Sequence, residues 1–362
     1  MSIRLHIAAA FAAAQVVATG ALAAERPPQF VAIAFDNCTE LERWQEWSSF
    51  AAGMNKDGDR VHFTFFVSGV NFISDAARSI YEAPRERRAT SRINFGGSVD
   101  DVRSRIQHIN ALRARGHEIA SHAVGHFDGR NWLAADWKKE FDSYDDAFRK
   151  AAANNGLPET SGFRFPLTDI TGFRAPYLAT SPGLYAVMND GRFRYHTNGG
   201  MEPDAWPVKT GNLWGFSLAN IRLAGMRRRT LSMDYNFLVA QSFGLDDRKN
   251  RDLYRNQMLQ SYLDYFAANY SGNRAPIHIG HHFNDYQRGA YREALQIFIR
   301  KVCGLPEVRC VTYAALADFM DSLDPQTLAA YQRGEFVRTA APALDLDQFA
   351  LDFPVAAATG SR

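Results

Sequence analysis

Short β-branched and aromatic runs alternate with helical ones along most of this chain, and that alternation limits the fold more than any other feature. FVAIAFD (30–36), VHFTFFV (61–67) and HEIASH (117–122) read as strands bounded by polar or glycine residues, with PIHIGHHF (276–283) and CVTYA (310–314) later. Helical periodicity occupies Asp100–Arg115, Trp137–Asn154, Asp252–Tyr270 and Tyr291–Val302. Strands separated by helices imply βα units around a mainly parallel sheet, either a barrel or an open sheet. A chain of 362 residues, 46% of them hydrophobic, is long enough to bury one large core. Segments 68–99 and 155–172 lack periodicity and are expected as loops, the first as an extended insertion. No internal repeat is present.

The first residues carry an address. Arg4 precedes an alanine-rich apolar run from Ile7 to Leu22, and Ala21-Leu22-Ala23 fits a small-x-small cleavage site. A signal peptide is therefore expected over 1–23, a domain over 24–340 and a tail over 341–362, with the mature protein secreted or periplasmic. A membrane anchor is disfavoured, because charged residues follow the run within a few positions, so no stable membrane insertion is expected after cleavage. The formal net charge of +2 gives no global field that would favour nucleic acid as a partner. Of three cysteines, Cys303 and Cys310 flank the turn-forming GLPEVR, and a disulfide here suits an oxidising compartment. Two separate buried thiols are the alternative, and Cys38 is the odd one in either case.

In βα sheets, functional groups gather at the C-terminal ends of strands. Here the first run ends in Asp36-Asn37, the third runs into His122 and His126, GFRAPYL supplies Arg174 and Tyr177, and the late run ends in His281-His282. Two imidazoles from one short segment share a metal ion when the chain curls back on itself. The H-E-x-x-H pattern is absent, since His122 falls one residue too late after His117-Glu118. His117 and Glu118 also lie in a strand, on opposite faces, so a zinc protease is disfavoured. Trp132 and Trp137 fit a sugar platform or helix packing equally well.

These motifs, in this order, resemble the polysaccharide deacetylases, the NodB-like carbohydrate esterases, and in pattern the secreted chitin deacetylase-like proteins. AIAFDN is similar to the family's T-F-D-D motif, HFTFFVSG to the following strand and GHEIASHAVGH to the histidine motif. GFRAPYL is similar to the arginine motif and NRAPIHIGHHF to the final histidine motif, so the resemblance spans residues 30 to 320. It implies an α/β fold, a distorted (β/α) barrel, and a metal-dependent carbohydrate deacetylase that hydrolyses N-acetyl groups of an N-acetylglucosamine-containing polysaccharide or oligosaccharide. It further implies a divalent metal ion, zinc first, held by His122, His126 and the residue at position 37. Asp36 is then the general base, Arg174 its anchor and the backbone N–H of Tyr177 an oxyanion donor. A late histidine is the general acid: adjacent strand residues face opposite ways, so one of His281 and His282 enters the site. The ungapped match of NRAP to the animal deacetylases picks His282, while the apolar-x-apolar-x-His rhythm of other members picks His281.

Two departures qualify the resemblance. Asn37 stands where the family has its metal-binding acid, and a neutral amide oxygen holds a cation less tightly. His196 stands where the family places an acidic partner of the arginine. Trp206 and Trp214 resemble the tryptophan-bearing segment and are expected either in the acetyl pocket or in the core. The departures leave two further readings: a catalytically impaired member that binds glycan or acts as a scaffold, and an O-acetyl esterase using the same site.

Overall fold

In the computed structural model, residues 24–338 are described, so the expected signal segment and the tail from Ala341 lie outside the described residues. The strands are β1 (Gln29–Asp36), β2 (Thr64–Val67), β3 (Glu118–Ser121), β4 (Gly172–Phe173), β5 (Tyr195–His196) and β6 (Gly200–Met201). They continue as β7 (Val208–Thr210), β8 (Leu213–Gly215), β9 (Leu218–Arg222), β10 (Arg229–Leu231), β11 (Ile277–His282) and β12 (Val308–Val311). The helices are α1 (Leu41–Met54), α2 (Val99–Ala114), α3 (Ala134–Arg149), α4 (Ala151–Asn154) and α5 (Pro182–Met188). They continue as α6 (Asp234–Ser242), α7 (Arg251–Ser271), α8 (Ala290–Val302), α9 (Tyr313–Ser322) and α10 (Pro325–Gln332).

Alternation along β1 decides the layering. Val31, Ile33 and Phe35 belong to the large core that contains Trp44 and Trp47 of α1, with Phe35 and Trp47 4.5 Å apart between ring centres. Phe30, Ala32 and Ala34 belong to a second cluster with Phe66, Ala120, Tyr195, Phe216 and Tyr313. One face of β1 thus meets the helices, and the other lines the inside of a curled sheet. Small alanines on the inner face leave room for the rings opposite. Burying a side chain such as Trp47 or Tyr313 stabilises the fold by about 2–3 kcal/mol.

The main sheet runs β11-β1-β2-β3-β4-β5-β8-β7, with β12 also pairing β1, and is parallel except for the β7–β8 pair. A smaller sheet, β10-β9-β6, closes the curl against β11: Gly280 N–H donates to Ser232 O at 2.9 Å, and Met233 bridges Gly280. A Cβ at position 280 would lie 2.7 Å from Met233 Cε and 3.3 Å from Arg174 Nη1, so glycine here leaves those side chains room. The result is a mixed α/β fold with a curled, partly closed barrel, as the alternation of strands and helices implied.

The expected elements shift at their ends for local reasons. The run at 310–314 stops as strand at Val311 because the Thr312 hydroxyl accepts from Ala315 N–H and caps α9. At α2 a capping box forms between Ser98 and Asp101. Segment 68–99 holds two short 3₁₀ turns, Gly69–Phe72 and Asp75–Ile80. Arg105, buried on α2, ties this segment to the β1–α1 turn by donating to Asn71 O, Gly96 O and Thr39 O. Cys303 and Cys310 form a disulfide, and Cys38 is a buried thiol that contacts Phe35 O. Among the described residues no helix is long and apolar enough to cross a membrane.

Candidate active site

Strand register brings the chemistry together. Asp36 and His282 are register partners at the ends of β1 and β11, both on the inner face. His281, one residue earlier, points the other way, where Tyr262 of α7 meets its Nε2 at 3.1 Å. His122 follows β3 directly, and Arg174 follows β4, its N–H donating to Ser121 O at 3.0 Å. Asp36, Asn37, His122, His126, Tyr177 and His282 all line one cavity of about 490 Å³. Ile93, Leu178, Leu231, Met233 and Tyr235 complete an apolar wall.

Arg174 organises the floor. Fully buried, it donates from Nη1 to Asp36 Oδ1 at 2.8 Å and from Nε to Thr197 Oγ1 at 2.7 Å, and its guanidinium lies 4.4 Å from the Phe66 ring centre. Its carbonyl accepts from His122 Nδ1 at 2.8 Å, which leaves His122 Nε2 with a free lone pair. Burial pushes both cavity imidazoles down, His126 to about 3, so both are neutral at pH 7. His122 and His126 rings lie 5.0 Å apart, and the His126 ring meets Tyr177 edge-on at 4.7 Å.

His282 has its own anchor, which inspection of the sequence missed. Its Nδ1 meets Asp234 Oδ1 at 2.6 Å, and its backbone N–H donates to Asp234 Oδ2 at 2.8 Å. Burial alone would lower the His282 pKa, but the charge and hydrogen bond of Asp234, with Asp36 nearby, raise it above the ordinary histidine value. Asp234 moves reciprocally: burial would raise it, and His282 brings it below the usual carboxylate range. The cavity thus has two neighbouring polar groups, Asp36 and His282, each held by a charged partner of opposite sign.

Backbone strain clusters here. Asn37, Ala123, His126 and Tyr177 all have left-handed φ between 50° and 57°, a region sparsely used by residues with a Cβ. In consequence the strand ends turn sharply and aim their side chains into the cavity.

The donor set suits a divalent cation in part. His122 Nε2 is available, and the buried Asn37 Oδ1 and His126 Nδ1 have no hydrogen-bond partner. Two neutral imidazoles and an amide oxygen are ligands that a borderline-soft ion accepts. Among the described residues, no group of three or more His, Cys, Asp or Glu side chains could hold a metal ion.

Other expected residues lie elsewhere. Trp206 is buried and donates to Asn273 O, Trp214 is buried and donates to Asp321, and neither lines the cavity. Both belong to the inner aromatic cluster, where indole packing and a satisfied N–H account for them. His196 does not face Arg174; burial lowers its pKa to about 4, and its ring sits 5.2 Å from Tyr185. The neighbouring Thr197 takes the place beside the arginine. Trp137 is buried against Trp132 and donates to Ser181 Oγ, a packing role.

The curled α/β barrel brings an arginine-anchored aspartate, paired imidazoles and a carboxylate-anchored histidine together at its strand ends. Residues 23–190 match the family model of the polysaccharide deacetylases. No curated protein matches the sequence. Among solved structures, the chain is similar in fold to a protein from Mycobacterium smegmatis assigned to the polysaccharide deacetylases. The TM-score is 0.50 and the identity 16%, over 84% of this chain and 96% of the other. It is likewise similar to Agd3, a carbohydrate deacetylase, at TM-score 0.50 and 13% identity, over 85% of this chain and 55% of that one.

Proposed function

We propose that this protein is a secreted or periplasmic, metal-dependent deacetylase that hydrolyses N-acetyl groups of a polysaccharide or oligosaccharide containing N-acetylglucosamine. The single observation that carries this reading is that Asp36 and His282, register partners at neighbouring strand ends, line one cavity, each with its own charged anchor. Amide hydrolysis needs a base on the attacking water and an acid on the departing nitrogen, and the cavity supplies one of each.

His122, His126 and Asn37 Oδ1 would hold the divalent cation, zinc being the ion this donor set suits first. Bound there, it supplies Lewis acidity toward the acetyl carbonyl and the attacking water. Asp36 takes the water's proton at Oδ2, because Oδ1 is occupied by Arg174. His282 delivers a proton from Nε2 to the leaving amine, because Nδ1 is occupied by Asp234. The N–H of Tyr177 donates to the oxyanion, and the apolar wall of Leu178, Leu231 and Met233 accommodates the acetyl methyl and excludes bulk water.

One observation favours a second reading, a catalytically weak member that binds glycan: the neutral Asn37 leaves the cation with no carboxylate ligand. Acetate release from N-acetylglucosamine oligomers, measured with zinc and with a chelator, separates the two. Zinc-dependent release that Asp36→Asn abolishes is the expected result. Folded, zinc-loaded protein that binds oligomers and releases no acetate would establish the binding role instead. Release from O-acetylated glycan alone would identify an esterase.

A further inference from the structure

A convex apolar ridge leads away from the catalytic cavity along α6. Tyr235, Val239 and Phe243 recur every fourth residue and share one face, and Leu245 follows on the turn. All four are exposed, Phe243 to 89% and Leu245 to 70%, although Phe237, Leu238 and Ala240 on the opposite face already supply the core contacts. Phe243 is the left-handed cap of the helix, at φ 57°, and its N–H is bonded to Val239 O at 3.1 Å, so its backbone is fixed with the ring in solvent. Isolated exposed apolar side chains need no explanation, whereas a contiguous row of this kind marks a contact surface.

Cations lie on either side of the ridge in sequence. Arg227, Arg228, Arg248 and Lys249 are exposed, and none of them makes an ion pair among the described residues. Arg228 Nη1 donates to Ala240 O at 2.8 Å, which fixes this guanidinium beside the last turn of α6. The two acids of the same turn, Asp246 exposed and Asp247 half-buried, accept hydrogen bonds from the protein's own loops. Asp246 Oδ1 accepts from Gln287 N–H at 2.8 Å, and Asp247 accepts from Lys249 N–H at 3.0 Å and Asn250 Nδ2 at 2.7 Å.

We infer that this ridge docks the protein reversibly on an anionic lipid surface, with Phe243 and Leu245 entering the headgroup–acyl boundary and the four cations facing lipid phosphates. The shape favours a bilayer over a protein partner, because the apolar side chains protrude instead of forming a groove that would receive one. The charge supports the same choice, since a collar of unpaired Arg and Lys around a few apolar side chains is the chemistry of interfacial binding. Overall charge is near neutral, so the attraction is local to this collar. Tyr235 belongs both to the ridge and to the cavity wall, so a docked molecule holds its cavity next to glycan at the membrane surface.

Co-sedimentation of the mature protein with vesicles of phosphatidylcholine, with and without phosphatidylglycerol, tests this. The bound fraction is expected to rise with phosphatidylglycerol and fall with salt. Phe243→Ser with Leu245→Ser should reduce binding about tenfold, and Arg248→Glu with Lys249→Glu should remove the preference for the anionic lipid. Unchanged thermal unfolding, and unchanged turnover of soluble oligomers, would show that the variants are folded. Absence of vesicle binding by the wild type, or binding that the serine variant retains, overturns the inference. A dimer that the serine variant dissociates in sedimentation velocity also overturns it, and assigns the ridge to a second copy of the chain.

Discussion

His282 and Asp234 are 48 positions apart in sequence and 2.6 Å apart in space. That only one of His281 and His282 enters the cavity was legible, because a strand alternates faces, but alternation alone does not say which one. Asp234 was not legible: a single aspartate at the start of a helix carries no spacing relation to a strand that pairs elsewhere. Trp206 and Trp214 show the converse limit, since a tryptophan looks the same in sequence whether it lines a cavity or fills a core. The pair makes a prediction about pH. Asp234 raises the His282 pKa, so an acid at Nε2 stays protonated further into the neutral range, and activity falls as pH rises through that raised value. Asp234→Asn removes the charge that opposes burial, so the alkaline limb of kcat/KM should move to lower pH. Turnover at mildly alkaline pH should fall about tenfold more than at acid pH. A uniform loss across the pH range would mean that Asp234 only holds the histidine in place.

At the level of elements, the segment from His122 to His126 is shaped by a helix that follows it. Ala123 and His126 are both left-handed, a conformation that costs on the order of 1–3 kcal/mol each unless the surroundings fix it. The buried Glu140 of α3 supplies that constraint: its Oε1 accepts from Val124 N–H at 2.9 Å and Gly125 N–H at 3.3 Å, and Tyr81 O–H donates to the same carboxylate. The pairing of His122 and His126 was readable, but the curl of their segment was not, because the group that holds it lies on another element. The tyrosine even comes from segment 68–99, which sequence periodicity identified only as a loop. Strands β4 and β5 escaped notice for a simpler reason, since two residues cannot display alternation. Glu140→Ala should leave two buried N–H groups unsatisfied and lower stability by about 1–3 kcal/mol. It should also weaken zinc binding by about tenfold or more, measured by competition with a chromophoric chelator, as removal of an outer support of metal ligands does. Glu140→Gln, which keeps an acceptor oxygen, should recover most of the affinity. Unchanged zinc affinity in the alanine variant would confine Glu140 to a stabilising role.

The whole barrel depends on what fills its interior, and there the sequence pattern leads to a testable cost. Inward residues of β11 read His278, Gly280 and His282, the first deep in the curl, the second yielding space to Arg174 and the third at the cavity. His278 is stacked between Phe216 and Tyr313, with ring centres 5.9 Å and 5.6 Å away, and neither ring nitrogen has a partner. Burial, reinforced by the Arg174 charge, lowers its pKa to about 3. The unfolded chain takes up this proton near pH 6.5 and the folded one only near 3, so stability is complete above the first value and declines as pH falls toward the second. That single group costs on the order of 5 kcal/mol across the window. His117, lowered to about 3 by burial, adds in the same direction, whereas the raised carboxyls of Glu118 and Glu140 take up protons in the folded state and oppose it. His278→Phe keeps the ring stack and removes the titration, leaving the opposing groups untouched. Its unfolding midpoint, followed from pH 7 to pH 4 in chelator, should fall less steeply than that of the wild type. At pH 7 it should equal or exceed the wild type, because two unpartnered nitrogens leave the core. Parallel acid limbs in the two proteins would mean that His278 finds a proton partner inside the barrel and that the interior is wetter than its aromatic lining implies.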